Sequence, residues 1–335
     1  MRIQVLVFLM LFASCFLSAQ TISDVTYSVS EVNCGIGPRG CLAYSINERG
    51  HISGTAIGGP FLPMLWAQGN VQVLGSNLVG GAGLALNDRD EVVGESILGA
   101  FLWRDGGLVD MGVGACSTAS DINNAGEVIG GVGDCNSPLK PFLWKDGILT
   151  HLSPDNFNAE AISNRGDIAG CLYTPGTNQT DLALWRDGTI RDLGSLPGCN
   201  VWPGAMNDRS QIVANFRDAT DPQIQRSVLW DGNTITILQP LPGDDSTQVF
   251  SINDRGEIAG ISYSFQSQSP GHPVIWRDLV PIDLNQLVPE TLQPLFGSLV
   301  VENNRGQVVV NTGLSGNKFA GPVYLLTSGQ VRTDN

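Results

Sequence analysis

Basic residues are few and scattered in this chain. Eighteen Lys and Arg stand against 32 Asp and Glu, the formal net charge is −14, and no basic run occurs. Nucleic-acid binding draws its affinity from clustered cations on phosphates, so a nucleic-acid partner is not expected. Histidine is limited to His51, His151 and His272, and no pair of cysteines is spaced as CxxC. Metal centres built on imidazole or thiolate are therefore not expected, and no metal or cofactor is assigned. The acidic balance is compatible with calcium but does not establish it. There is no Gly-x-Ser-x-Gly elbow, no HExxH, no phosphate-cradling glycine loop and no cysteine in a nucleophile's setting. Beyond the N-terminus nothing approaches the roughly 20 apolar residues of a membrane helix, and no window of a dozen residues carries a helical apolar period.

What the N-terminus does carry is the layout of an export signal: Arg2, an apolar run from Ile3 to Phe12, and the small-residue exit Leu17-Ser18-Ala19. Residues 1–19 are expected to be removed, with Gln20 the new terminus and 20–335 a single domain. The alternative is a lipid anchor at Cys15, although Phe12-Ala13-Ser14 is a poor lipobox. Removal leaves six cysteines: Cys34, Cys41, Cys116, Cys135, Cys171 and Cys199. An even count in an exported chain suggests disulfides. Local pairing, Cys34–Cys41, Cys116–Cys135 and Cys171–Cys199, is the expectation among fifteen possible connectivities.

One pattern recurs throughout. Its first half is an apolar pair, Asn, two turn residues, Gly, a polar residue and a short strand ending in Gly. Examples are SINERGHISG from Ser45, ALNDRDEVVG from Ala85 and SINDRGEIAG from Ser251. The position is held by Asn47, Asn87, Asn123, Ser163, Asn207, Asn253 and Asn303. The second half reads apolar-x-Leu-Trp, a turn, and a strand often closing on Asp-Leu-Gly. It is marked by Trp66, Trp103, Trp144, Trp185, Trp230 and Trp276, with Leu325 in the seventh copy. Glycine supplies the positive φ of the first turn, and Asp-Gly after Trp-Arg is a two-residue hairpin signal. Two hairpins make four strands in about 43 residues, the size of a propeller blade.

The expected fold class is therefore all-β: a β-propeller of seven four-stranded blades. A solenoid would need polar capping units, and none is present. Small residues in the first strand of each unit, such as Ala43, Ser45, Ala85, Ala161, Ala205 and Ser251, suit the crowding near an axis. The last unit is expected to lack its fourth strand, with little strand-forming sequence left after its third strand and a turn at Ser328-Gly329. YSVSEV (Tyr27 to Val32) has no partner hairpin, and it is expected to pair with Val323–Leu326 and close the ring.

The SINDRGEIAG-like and FLWRDGGLVDMG-like halves together resemble the HAF-repeat family of extracellular proteins, over almost the whole mature chain. The tripeptide that names the family is eroded here to Ala100-Phe101, Pro141-Phe142 and His272. The resemblance implies export and repeated β architecture; it implies no catalytic residues.

Candidate binding residues are few. The Asn-Asp-Arg-Gly turns and the repeated Trp are read as structure, since Asx side chains bond their own turns and a fixed Trp packs between blades. Trp202 falls outside the repeat, in the loop LPGCNVWPG, and could stack on a sugar or a partner. Asp244 and Asp245 could chelate calcium or act as an acid/base pair, or simply form a solvated loop. Asn178-Gln179-Thr180 is a glycosylation sequon. In a propeller, the tight turns share one face and the long, varied links share the other, which is where a ligand is expected, over the axial opening. The leading reading is a secreted, monomeric, non-catalytic binding or scaffold module for a glycan or protein. The alternative is an extracellular propeller enzyme, a glycan hydrolase or lyase. The discriminator is whether acids or His converge at the axis from among Asp134, Asp155, Glu160, Asp218, Asp244 and His272.

Overall fold

The computed structural model describes residues 25–33, 40–57, 59–177, 179–200, 204–266, 271–312 and 321–330. The expectations for the signal segment, the Cys15 anchor, the Asn178 sequon and Trp202 fall outside them. Among the described residues, no helix is long and apolar enough to cross a membrane.

Seven antiparallel sheets form a ring of blades. The blades begin, from the axis outward, with Cys41–Ile46, Ala82–Leu86, Ser117–Ile122, Phe157–Ile162, the short stretch at 204–206, Ser246–Ile252 and Gly297–Glu302. Blade 4 shows the plan: Phe157–Ile162, Ile168–Tyr173, Thr180–Arg186 and Thr189–Ser195 pair in sequence order. Blade 5 is reduced at its inner edge. Its three full strands are Ile212–Arg217, Gln225–Trp230 and Ile235–Ile237, and the innermost position is held by single bridges at Met206↔Ile212 and Asn200↔Asn215.

The ring closes as its ends suggested. Val25–Glu31 is the outer strand of blade 7 and pairs antiparallel with Val323–Gln330, from Val25↔Gln330 to Glu31↔Tyr324. One detail differs: Ser328-Gly329 is no turn, and the strand runs through it, because Thr26 and Tyr27 give both residues partners. Tyr27 is buried in the seam, and the closure removes an open sheet edge.

The turns behave as the sequence requires. Asp105-Gly106, Asp146-Gly147 and Asp187-Gly188 all have positive φ at both residues, the geometry that matches hairpin twist. The Trp side chains pack between blades. Arg104 lies 5.8 Å from the Trp144 ring centre, Arg191 lies 5.6 Å from that of Trp230, and Trp276 Nε1 donates to the Gln239 carbonyl at 2.8 Å.

The repeated Asn does more than form its own turn. Asn47 Oδ1 accepts from the Arg49 and His51 backbone N–H, both at 3.0 Å, as an Asx turn should. Its Nδ2 donates to the carbonyl of Asn87 in the next blade. The same bond links Asn87 to Asn123, Asn123 to Ser163, Asn207 to Asn253, Asn253 to Asn303, and Asn303 back to Asn47, at 2.8 to 3.5 Å. Ser163 has no amide to donate, and this circle is open there alone.

A second circle uses the following residue and is complete. The backbone N–H of Glu48, Asp88, Asn124, Asn164, Asp208, Asp254 and Asn304 each donates to the side-chain oxygen of the next member. The last donates to Glu48, and all seven bonds span 2.5 to 2.8 Å.

Candidate functional site

In five blades the innermost strand carries a one-residue register shift, at Ala43/Ser45, Gly83/Ala85, Ala119/Asp121, Ala159/Ala161 and Val249/Ser251. The extra residues are Tyr44, Leu84, Ser120, Glu160 and Phe250. A β-bulge re-aims the side chain it inserts, and all five line one axial cavity of about 380 Å³. Leu299 and Val301 complete the inner wall in blade 7, where the shift lies at Gly297/Leu299 instead.

The recurring glycine of the second strand, which stands third in that strand rather than at its end, follows from the bulge. A Cβ on Gly54, Gly94, Gly130, Gly170 or Gly260 would overlap the carbonyl oxygen of Leu42, Ala82, Thr118, Asn158 or Gln248 respectively. Where the inner strand lacks that bulge, a side chain is present: Ala214 in blade 5 and Val310 in blade 7. Glycine, bulge and cavity-facing residue form one device.

The cavity is two-sided. Tyr44, Leu84, Phe250, Leu299 and Val301 make an apolar wall from blades 1, 2, 6 and 7, while Thr118, Ser120, Asn158, Glu160 and Asn200 make a polar arc from blades 3 to 5. Leu139 reaches it from the link between the second and third strands of blade 3, on the face of the long links. Two disulfides hold that rim. Cys116–Cys135 ties the entry of blade 3 to the link carrying Leu139, with Cα atoms 5.1 Å apart. Cys171–Cys199 ties the second strand of blade 4 to the segment carrying Asn200, with Cα atoms 6.0 Å apart. Both pairings are those expected. Cys41 is disulfide-bonded as well, and the expected partner Cys34 lies outside the described residues.

Two carboxyls from adjacent blades stand near the axis, and the charge of one acts on the other. Glu160 lines the cavity, and burial pushes its pKa up to about 7 against the hydrogen bond from Asn158, with the Asp121 charge adding to the rise. Asp121 lies behind it, buried, and burial likewise raises it to about 7 although three backbone N–H groups favour its ionised form. Those groups occupy both oxygens: Ile122 N–H reaches Oδ1 at 2.8 Å, and Ile162 and Gly204 N–H reach Oδ2 at 3.0 and 3.5 Å. Asp121 thus staples blades 3, 4 and 5. In the other blades its place is taken by Ser45, Ala85, Ala161, Ala205, Ser251 and Val301.

The other sequence candidates do not join this site. Asp134 caps its own loop through the Asn136 and Ser137 N–H groups, Asp155 pairs with Lys140, and Asp218 pairs with Arg226 and Thr220. Asp244 and His272 do meet, in blade 6, with Nδ1 3.1 Å from Oδ2. Ser262 Oγ donates to the same Asp244 oxygen at 2.7 Å. A hydrolytic triad places His between Ser and Asp; here the aspartate is the hub, so nothing activates the serine, which is itself buried. Asp245 organises the next loop. Burial would raise its pKa, but the N–H groups of Phe265 and Gln266 and the hydroxyls of Ser246 and Ser264 hold it below the usual range.

Among the described residues, no group of three His, Cys, Asp or Glu is arranged to hold a metal ion. The opposite mouth of the axis is a smaller recess of about 150 Å³, lined in part by Glu48, Asn164, Asp208, Asp254 and Asn304, whose side chains are committed to the hydrogen-bonded circle.

The chain is similar in fold to a puromycin-hydrolysing peptidase of Mycobacterium tuberculosis, with a TM-score of 0.58 at 11% identity over 88% of this chain and 52% of that one. It therefore spans about half the length of that protein. It is similar to the β-propeller domain of the Trilobed protease from Pyrococcus furiosus, with a TM-score of 0.54 at 9% identity over 87% of this chain and 95% of that one. A third likeness is to an oligogalacturonate lyase in complex with manganese, with a TM-score of 0.51 at 14% identity over 92% of this chain and 97% of that one. At these identities the likeness is one of fold. No protein-family model matches the chain, and no curated protein matches it.

Proposed function

We propose that this chain is an exported, non-catalytic binding propeller whose ligand enters the axial cavity from the face of the long links. The observation that carries the reading is the cavity itself: inner strands of six blades aim side chains into it, one wall is apolar, the other polar, and disulfides anchor its rim. A volume near 380 Å³ falls in the range of small-molecule sites. An apolar wall facing hydrogen-bonding groups suits a sugar ring or a compact amphipathic ligand. Disulfides favour an oxidising compartment, in keeping with the signal-like N-terminus and the resemblance to HAF-repeat proteins.

The enzyme alternative is less well supported. Paired-carboxylate glycoside chemistry needs two carboxyls free to act on substrate, and both oxygens of Asp121 are spent on backbone donors. Exposed Phe61, Ile97, Leu98 and Tyr173, at the strand ends and links on the same face, favour a rim that also touches a larger partner such as a glycan chain or protein.

The test is a ligand screen by thermal shift and calorimetry, on the wild type and on Leu84→Trp, which fills the cavity. Binding that Leu84→Trp abolishes supports the reading. Binding that survives it places the site elsewhere, and turnover of a glycan that Glu160→Gln removes would make the protein an enzyme.

A further inference from the structure

The buried and half-buried acids of this fold are, as a rule, matched with cations. Four blades carry an acid four residues after the repeated Asn position, and each meets the basic residue that follows Trp: Glu91 with Arg104, Glu127 with Lys145, Asp167 with Arg186 and Glu257 with Arg277. Glu160 breaks the rule. Its hydrogen-bond partner is Asn158 of its own strand, and the charge nearest to it in effect is another acid, Asp121. Across the cavity, Tyr44 senses a further anion, Glu95. No Arg, Lys or His lines the cavity among the described residues.

We infer that the axial cavity is built for a small organic cation, an ammonium group seated against Glu160 with its carbon skeleton on the apolar wall of Tyr44, Leu84 and Phe250. This inference rests on the binding reading above and narrows it. Glu160 is half-buried in the cavity wall; a partly desolvated carboxylate without a counter-charge is disfavoured, and a cationic ligand supplies the missing partner. Aromatic faces add their own attraction for a cation. A neutral sugar could satisfy the hydrogen bonds of Asn158, Asn200 and Ser120 but not the charge, and an acidic ligand would meet Glu160 with no compensating cation among the described lining residues.

Because the ionised form of Glu160 is the one that attracts the ligand, affinity rises with pH from 6 to 8, and binding releases a proton to solvent. The titratable groups around Glu160 are Asp121 in blade 3 and Tyr173 on the neighbouring strand, with Tyr44, itself raised by Glu95, across the cavity. Of these, Asp121 titrates in the same range and reinforces the trend.

The experiment uses pairs matched in shape and differing in charge: choline with its carbon isostere dimethylbutanol, and phenethylamine with phenethyl alcohol. Each is titrated calorimetrically into the full mature protein at pH 6 and pH 8. The expectation is that at least one cation binds about tenfold or more tightly than its neutral partner at pH 8, corresponding to about 1.4 kcal/mol, and that Glu160→Gln erases the difference. Equal binding of charged and neutral partners, lost in Leu84→Trp, would overturn the cation inference while leaving the cavity reading standing. Failure of both cations to bind would overturn the inference too. Cation binding that persists in both Glu160→Gln and Leu84→Trp would overturn both readings.

Discussion

Replacing Gly170 by Ala tests the link between the repeat's glycine and the axial bulge. An added Cβ would overlap the Asn158 carbonyl oxygen and lie 2.9 Å from the Asn158 carbonyl carbon and 3.0 Å from Phe157 Cε2. None of these atoms is the free end of a flexible side chain, and Phe157 is buried. The inner strand of blade 4 must therefore move. Overpacking of this kind costs about 1–3 kcal/mol, and contact with backbone places the expectation at the upper end, about 3 kcal/mol. For a chain of this size that is a fall of about 6 °C in the thermal midpoint, at about 2 °C per kcal/mol. The matched control is Gly107→Ala on the outer strand of blade 2, where nothing lies within 4 Å of the new Cβ and φ is not positive; its midpoint should stay within about 1 °C of wild type. Differential scanning calorimetry decides the matter. A Gly170→Ala protein that melts with the wild type would refute the account, because the bulged strand would then have room that the geometry denies it.

Two further outcomes follow from the same geometry. Ser163→Asn should complete the circle of amide-to-carbonyl bonds by donating to Asn207 and raise stability by up to about 1 kcal/mol, read as a higher urea midpoint; a lower midpoint would mean that the gap is needed. Asp121 and Glu160 keep protons in the folded state up to about pH 7 that the unfolded chain gives up near pH 4. Stability should therefore fall as pH rises from 5 to 7, by at most about 1.4 kcal/mol per pH unit for each group, and level off above that. Acids held below their usual range, such as Asp167, Glu257 and Asp245, are ionised in both states over this window and do not oppose the trend. Urea titrations at pH 5, 6, 7 and 8 should show a flatter profile for Glu160→Gln, and identical slopes would contradict the assignment.

The architecture was legible in the sequence because its signals are local. Asp-Gly hairpins, a recurring Asn-turn-Gly and a fixed Trp each report on a few neighbouring residues, and their repetition carries the blade count. Closure by the N-terminal strand was legible from the surplus of YSVSEV at one end and the missing strand at the other. The cavity was not. Tyr44, Leu84, Ser120, Glu160 and Phe250 all stand three residues before the repeated Asn position, where the chain otherwise alternates small and apolar residues. The signal was a single variable column inside a regular repeat, and alternation alone would have turned those side chains differently. Only the bulge aims them at the axis, and its one sequence trace is the recurring glycine in the next strand. Glu160 stood among six candidate acids and histidines because sequence distance says nothing of which residues share an axis. The repeated Asn was rightly read as a turn residue, but its Nδ2 works across blades, a role that its own Asx turn conceals.

The complete circle on the tight-turn face asks only one thing of each member, an oxygen placed to accept the previous blade's N–H. Aspartate, asparagine and the longer glutamate all meet that demand, and all three occur around the ring. Exchange among them is invisible to the closure of the molecule yet alters the formal charge of the face one unit at a time. The electrical character of that surface is thus uncoupled from the fold that displays it: selection can tune it from strongly anionic to nearly neutral through single substitutions, without loosening any blade from its neighbour.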